Sequence, residues 1–159
     1  MQFVIDGHNL LKSVQYEDEQ FELISDLQLC HIIGRYLKKI RQEAQIVFDG
    51  TGPKEKQGFE NIINLEVIFA GPDKEADDII ENKINASSAA RNLTVVTGDK
   101  KILTTARRRK ADTIKPKLFW EHIRKQLSRP EKLREPLAKR YGISENETEY
   151  WMKIFRIED

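Results

Sequence analysis

Short apolar runs that alternate with segments of helical periodicity constrain the fold of this chain more than any other feature. Buried strands are predicted at residues 3–5, 46–48, 65–69 and 93–96, with a shorter one at 112–114. Strands that alternate with helices indicate βαβ units. The strands are continuous apolar runs, as expected of a parallel sheet that is covered on both faces. The predicted fold class is therefore α/β.

Helices are predicted at residues 19–41, 74–90, 100–109 and 116–127, and residues 50–61 are predicted to form a loop. Residues 128–159 differ in character, because Pro130, Pro136 and Gly142 interrupt them. They are predicted to form a helical C-terminal extension, with one amphipathic helix at 145–157, attached to a domain of residues 1–127.

Length and composition favour one globular domain. A chain of 159 residues can build one hydrophobic core of ordinary size. The single cysteine, Cys30, cannot form an internal disulfide, and no Cys/His cluster has zinc-ligand spacing. No apolar run approaches ~20 residues, and the N-terminus does not resemble a signal peptide. We expect a cytoplasmic protein without a membrane segment.

Carboxylates follow the predicted strands at one edge of the sheet. Asp6, Asp49 and Asp99 come directly after the first, second and fourth strands, and Asp77 and Asp78 begin the helix after the third. In parallel α/β sheets, ligands bind outside the carboxyl ends of the strands. Clustered carboxylates repel one another unless a cation is bound, and oxygen ligands without Cys or His suit Mg²⁺ or Mn²⁺. Asp49 is the weakest member of the predicted metal site, because its strand is expected to lie farther from the others.

Each carboxylate also has a local explanation. Asp-Gly is a common turn dipeptide, which would account for Asp6 and Asp49. Asp77 and Asp78 could complement a helix dipole, and Asp99 could cap a helix. The coincidence of all five at one predicted edge favours a metal site.

Polar residues beside these carboxylates are candidates for substrate binding. Asn9 lies three residues after Asp6, where its amide could hold a phosphate oxygen or a water molecule. His8 lies between them and is a candidate substrate contact, although a lone loop histidine is commonly an exposed side chain. Thr97, two residues before Asp99, is assigned to the same group.

The charge is unevenly distributed along the chain. Residues 1–99 carry 10 Lys/Arg and 17 Asp/Glu, a net of −7, whereas residues 100–140 carry 15 and 4, a net of +11. Residues 141–159 carry 2 and 5, a net of −3. A basic segment that follows a carboxylate site suggests a phosphate-rich partner, and a solvated helix face is the alternative. The candidate backbone-binding residues are Lys100, Lys101, Arg107, Arg108 and Arg109, with Lys110 beside them.

Four motifs occur in an order and spacing that are fairly specific. They are Ile5-Asp6-Gly7-His8-Asn9-Leu10, Val47-Phe48-Asp49-Gly50, Ala76-Asp77-Asp78-Ile79-Ile80-Glu81 and Val95-Val96-Thr97-Gly98-Asp99. Together they resemble the YacP-like NYN domains, which belong to the PIN-like nucleases, over residues 1–127. His8 stands where many relatives have Tyr, and Gly98 stands where many have Ser or another small polar residue. The resemblance implies a three-layer α/β/α fold around a mostly parallel sheet.

The resemblance also implies a divalent-metal-dependent endoribonuclease that leaves a 5′-phosphate and a 3′-hydroxyl. By motif, Asp6, Asp77, Asp78 and Asp99 resemble the catalytic, metal-binding acids of the family, with Asn9 assisting. The candidate substrates are mRNA and ribosome-associated RNA, and the ribosome is a candidate partner. The alternative is a non-catalytic RNA- or ribosome-binding module of the same fold, which would be expected to have lost some of these acids.

Overall fold

A computed structural model describes residues 2–129 and contains a sheet of five parallel strands. The strands are β1 (Gln2–Asp6), β2 (Glu43–Phe48), β3 (Leu65–Phe69), β4 (Leu93–Val96) and β5 (Asp112–Ile114). Their order in the sheet is β3-β2-β1-β4-β5. The order reverses between β1 and β4, and this switch point is where ligands bind in sheets of this kind.

Six α-helices connect or follow the strands in the described part of the chain. They are α1 (Gly7–Glu17), α2 (Asp26–Ile40), α3 (Gln57–Glu60), α4 (Ala76–Ala86), α5 (Lys100–Arg108) and α6 (Pro116–Ser128). Short 3₁₀ segments lie at Glu19–Phe21 and Ala90–Asn92.

Helices cover both faces of the sheet. Successive strand side chains point to opposite sides, and in these strands both sides carry apolar residues that must be buried. Val4, Val47 and Val95 belong to one buried cluster with apolar residues of α4 and α5. On the other face, Phe3 packs against Phe119 of α6, with ring centroids 5.3 Å apart. Tyr36 of α2 contacts the same Phe119 ring at 5.7 Å. The predicted three-layer α/β/α architecture is confirmed.

Several predicted element boundaries were wrong. The turn expected at Asp6-Gly7 is the start of α1, which was not predicted. The helix expected at 19–41 begins only at Asp26, where Ser25 and Gln28 form a capping box, with Ser25 Oγ accepting from the Gln28 amide at 3.1 Å. The loop expected at 50–61 contains α3, and the helix expected at 74–90 is shorter, at 76–86.

The chain divides into two compact units, residues 1–120 and residues 121–159. The sheet and all the candidate site residues lie in the first unit, whereas the second is described only to residue 129. The helix predicted at 145–157 and most of the predicted extension lie outside the described residues, so the boundary at 127/128 stays a prediction. Within residues 2–129, no helix combines the length and apolar character needed to cross a membrane.

Candidate functional site

The pairing of β1 with β4 brings Asp6 and Thr97 together. Val4 is in register with Val95, and the two side chains point to the same face of the sheet. Side chains alternate between the two faces of a sheet, so Asp6 and Thr97, each two residues farther along the chain, point to the same face as Val4 and Val95. They lie at the carboxyl edge of the sheet. The Thr97 hydroxyl donates a hydrogen bond to Asp6 Oδ2 at 3.1 Å.

Thr97 and Asn9 join the ends of β1 and β4. Thr97 is fully buried, and its Oγ1 also accepts from the Asp99 backbone amide at 3.0 Å. Asn9 Oδ1 accepts from the Gly98 backbone amide at 2.9 Å. The predicted substrate-binding residues Asn9 and Thr97 therefore hold the turn that carries Asp99 in a fixed position relative to Asp6.

Asp99 is the N-cap of α5, so its local explanation is correct. Its Oδ1 accepts from the backbone amides of Lys101 at 2.8 Å and of Ile102 at 3.3 Å. Both bonds go to one oxygen, and no hydrogen bond from residues 2–129 reaches Oδ2. The two capping bonds fix the Asp99 carboxylate in place, and its Oδ2 can still accept a further hydrogen bond or bind a metal ion.

A second group of carboxylates lies at the start of α4. Oxygens of Glu75, Asp77 and Asp78 lie within 4.8 Å of one another and could hold a metal ion. The predicted metal ligands Asp77 and Asp78 are thus brought together with Glu75, whereas Asp6 and Asp99 are outside this tight group. Glu75 was not predicted, although three acids within four positions at a helix start were a usable signal.

Asp49 lies between the two groups. Its Oδ1 accepts from the Ala76 backbone amide at 2.8 Å, which ties the end of β2 to the first turn of α4. Its charge contributes to raising the pKa of both Asp6 and Glu75. Asp49 was expected to be the most distant carboxylate, but β2 is paired directly with β1.

The surroundings of Asp6 and Glu75 disfavour the ionised, metal-free forms of these two side chains. Burial is the main cause that raises the pKa of Asp6, and the charges of Asp99 and Asp49 add to it. The Thr97 hydroxyl and the Asn9 backbone amide lower it in part. The pKa of Glu75 is raised chiefly by the charge of Asp77. A bound cation would relieve both effects.

Lys101 already provides positive charge to the α4 carboxylates. Its Nζ lies 3.3 Å from Asp78 Oδ1, 3.4 Å from Glu81 Oε2 and 3.9 Å from Asp77 Oδ2. The hydrogen bond to Asp78 is the main cause that raises the pKa of Lys101. Lys101, predicted to bind substrate, is therefore a counter-ion of the acids, whereas its neighbour Lys100 is exposed and has no ion pair with another described residue.

We expect Lys101→Met to increase the Mn²⁺ affinity of the protein severalfold, because the α4 carboxylates lose their internal cation. Thermal melts across a Mn²⁺ titration would measure this as a shift of the stabilisation to lower metal concentration. Lys100→Met is the matched control and should behave like the unmodified protein. Equal titration curves for the two variants would show that Lys101 does not compete with a metal.

No hydrogen bond or ion pair within residues 2–129 joins the remaining predicted site residues to these carboxylates. The ring of His8 contacts Phe48 edge-on at 5.6 Å, and its buried Nδ1 has no hydrogen-bond partner among residues 2–129. Arg107, Arg108 and Arg109 lie at the end of α5 that is remote from Asp99. Their proposed contact with substrate stays a prediction.

Comparison with known proteins identifies the family. The sequence profile of the YacP-like NYN domain matches residues 3–156, which includes residues beyond the four motifs. The crystal structure of Rae1 (YacP) from Bacillus subtilis is 18% identical, with a TM-score of 0.70 over 98% of this chain and 92% of that chain. A tryptophan-to-leucine mutant of that protein gives 18% identity and a TM-score of 0.60, over 97% and 91% of the two chains. No protein in the search of curated sequences matches significantly. The structural likeness shows a common fold, and the sequence match shows that the chain belongs to the YacP-like NYN domain family.

Proposed function

We propose that this protein is a divalent-metal-dependent endoribonuclease. The nuclease-like fold of the NYN family is the basis, and one observation carries the proposal. Five carboxylates converge at the carboxyl edge of the sheet, at the switch point between β1 and β4 and at the adjoining start of α4. They are Asp6, Asp49, Asp77, Asp78 and Asp99, with Glu75 as a sixth beside them.

The donor set of this edge fits Mg²⁺ or Mn²⁺. All its candidate ligands are carboxylate oxygens, and neither Cys nor His lies among them. Asp77 and Asp78, with Glu75, would hold one ion, and Asp6 with Asp99 would complete the site. When bound, a divalent ion supplies positive charge at a scissile phosphate and increases the acidity of water.

The protein residues would set the geometry of the reaction. Thr97 fixes one oxygen of Asp6, and the capping bonds of Asp99 use only its Oδ1, which would leave Oδ2 to contact a metal. Because Asp6 is held in a partly buried position with a raised pKa, it is poised to gain a cation or to accept a proton. The hydrogen bond that the Gly98 backbone amide donates to Asn9 Oδ1 keeps the two strand ends at a constant separation.

The proposed substrate is RNA, with mRNA and ribosome-associated RNA as the candidate classes. A ribosome as partner and a cytoplasmic location remain part of the proposal. We expect Lys100 rather than Lys101 to contact the RNA backbone, because Lys100 is exposed whereas Lys101 is paired with three acids.

Cleavage of labelled RNAs by the purified protein in Mn²⁺, Mg²⁺ or EDTA tests the proposal. We expect cleavage with the metals that disappears in EDTA and in Asp6→Asn/Asp99→Asn. Asp112→Asn is the matched control, since Asp112 is an exposed carboxylate at the start of β5, at the opposite edge of the sheet. Cleavage that persists in the double variant would contradict this assignment of the site.

A non-catalytic RNA- or ribosome-binding module is the second candidate function. The ion pairs of Lys101 favour it, because they partly neutralise the α4 carboxylates without a metal. This candidate predicts RNA binding without cleavage under all metal conditions, on isolated RNA and on translating ribosomes alike.

A further inference from the structure

Exposed cations accumulate at the amino edge of the sheet, opposite the carboxylates. The register aligns Gln2 with both Glu43 and Leu93, so the segments that precede β2 and β4 meet at this edge. The segment that precedes β5 joins them, because β5 is paired with β4. We name the cations of these segments the basic edge: Arg41, Arg91, Arg107, Arg108, Arg109 and Lys110.

The basic edge borders a cleft of about 440 Å³. Arg41, Ser87 and Asn92 contribute to its lining. The guanidinium of Arg109 donates from Nη2 to the Ser87 carbonyl oxygen at 2.9 Å, which places the end of α5 on the rim of this cleft. Arg41 in the lining and Arg109 on the rim therefore bring cations from two separate segments to one concave surface, which Glu43 also lines.

These cations form no ion pairs within residues 2–129, and Glu43 and Asp112 are the carboxylates that share the ends of β2 and β5 at this edge. Arg41, Arg91, Arg107, Arg108 and Lys110 are exposed, and none forms an ion pair with another residue of the range 2–129. Lys101 at the opposite edge, in contrast, is within 4 Å of three carboxylates. The helix dipole explains a preference for Arg107 and Arg108 in the last turn of α5, but Arg109 and Lys110 continue the run beyond that helix.

We propose that the basic edge binds the phosphate backbone of an RNA strand outside the cleavage site. That the bound polyanion is RNA rests on the proposed function. A strand of five residues spans about 16 Å, so RNA that contacts both edges must extend well beyond the scissile phosphate. The basic edge then increases affinity for long RNA without selecting its sequence or accelerating the bond-breaking step.

The test compares Arg107→Gln/Arg108→Gln with the charge-matched control Lys12→Gln/Lys117→Gln, whose lysines lie on α1 and α6. Binding of a fluorescent RNA of about 30 nucleotides is measured by anisotropy in EDTA over a salt series. Loss of two phosphate contacts should weaken binding roughly tenfold or more and reduce the slope of log affinity against log salt by about 1.4. Cleavage of a tetranucleotide in Mn²⁺ is measured in parallel and should be unchanged.

Equal binding of long RNA by the arginine variant and the lysine control would overturn the proposal, as would no binding of long RNA by the unmodified protein. Slower cleavage of the tetranucleotide by the arginine variant than by the lysine control would also overturn it, because it would place the arginines at the cleavage site. If the unmodified protein cuts no RNA but its binding depends on the arginines, the nuclease proposal fails and the basic edge stands.

Discussion

Asp6→Asn is expected to reduce the rate of RNA cleavage by about 1,000-fold, which corresponds to roughly 4 kcal/mol of lost transition-state stabilisation. Asp6 lies at the switch point of the sheet, where its carboxylate is fixed by Thr97 and influenced by the charges of Asp99 and Asp49. Asparagine preserves the size of the side chain but removes the negative charge that attracts a cation. Single-turnover cleavage of a labelled RNA in saturating Mn²⁺ measures the effect.

The same variant should be more stable than the unmodified protein in EDTA at neutral pH. Burial raises the pKa of Asp6 above 3.8 in the folded state. A carboxyl with a raised pKa contributes stability below its unfolded pKa, and this contribution is lost as the pH rises through the folded value. Ionised Asp6 therefore opposes folding at neutral pH, and asparagine removes that cost. Thermal melts in EDTA should show a higher Tm for the variant at pH 7 and a smaller difference near pH 3.8.

Stability and activity together distinguish a ligand from a structural residue. An inactive variant with a raised Tm in EDTA supports the metal-site assignment of Asp6, whereas an inactive variant with a lowered Tm indicates a damaged fold. Full activity of the variant would remove Asp6 from the catalytic machinery. Asp112→Asn should alter neither quantity appreciably, because Asp112 is exposed at the far edge of the sheet.

The strands could be predicted from the sequence because their signal is local. β3, β4 and β5 have the predicted bounds, since each is rich in apolar or β-branched residues and is followed within two residues by Gly or Pro. α1 was missed because Gly7 follows Asp6, and Asp-Gly is typical of turns. Tertiary contact decides this position: Gly7 allows the first turn of α1 to approach the ring of Phe48. The predicted start of α2 was wrong, although the Ser25–Gln28 capping pattern was present in the sequence.

The candidate site was predictable where it follows from strand order and not where it depends on helix geometry. The grouping of Asp6, Thr97 and Asp99 follows once β1 and β4 are neighbours. Glu75 was missed because the predicted helix began at residue 74, two positions too early, whereas Glu75 is the N-cap of α4. The basic residues after Lys101 are close to Asp99 in sequence, but eight residues of helix at about 1.5 Å each carry them roughly 12 Å away.

Gly7→Ala is expected to destabilise the protein by about 2 kcal/mol and to lower its Tm by several degrees. An added Cβ would lie 2.6 Å from two atoms of the Phe48 ring, which is closer than real contacts allow. Phe48 cannot turn aside, because it is buried and its ring lies against those of His8 and Phe69, with centroid distances of 5.6 Å and 5.8 Å. Alanine in the first turn of an unobstructed helix would instead stabilise it by about 0.5–1 kcal/mol, so the sign of the change reports the clash.

Phe48→Leu is the partner variant in a double-mutant cycle. Alone it should cost about 1–3 kcal/mol, because it leaves a cavity in the core. Combined with Gly7→Ala it should cost less than the sum of the two single changes by about 1 kcal/mol or more, since the smaller side chain admits the new methyl group. Denaturant unfolding of the four proteins measures this coupling, and additive costs would show that Gly7 is not needed for the contact with Phe48. Because Gly7 adjoins Asp6 and α1 carries Asn9, we also expect Gly7→Ala to reduce RNA cleavage and the double variant to recover part of it. Such recovery would connect the packing of the Phe48 ring to the alignment of the carboxylates.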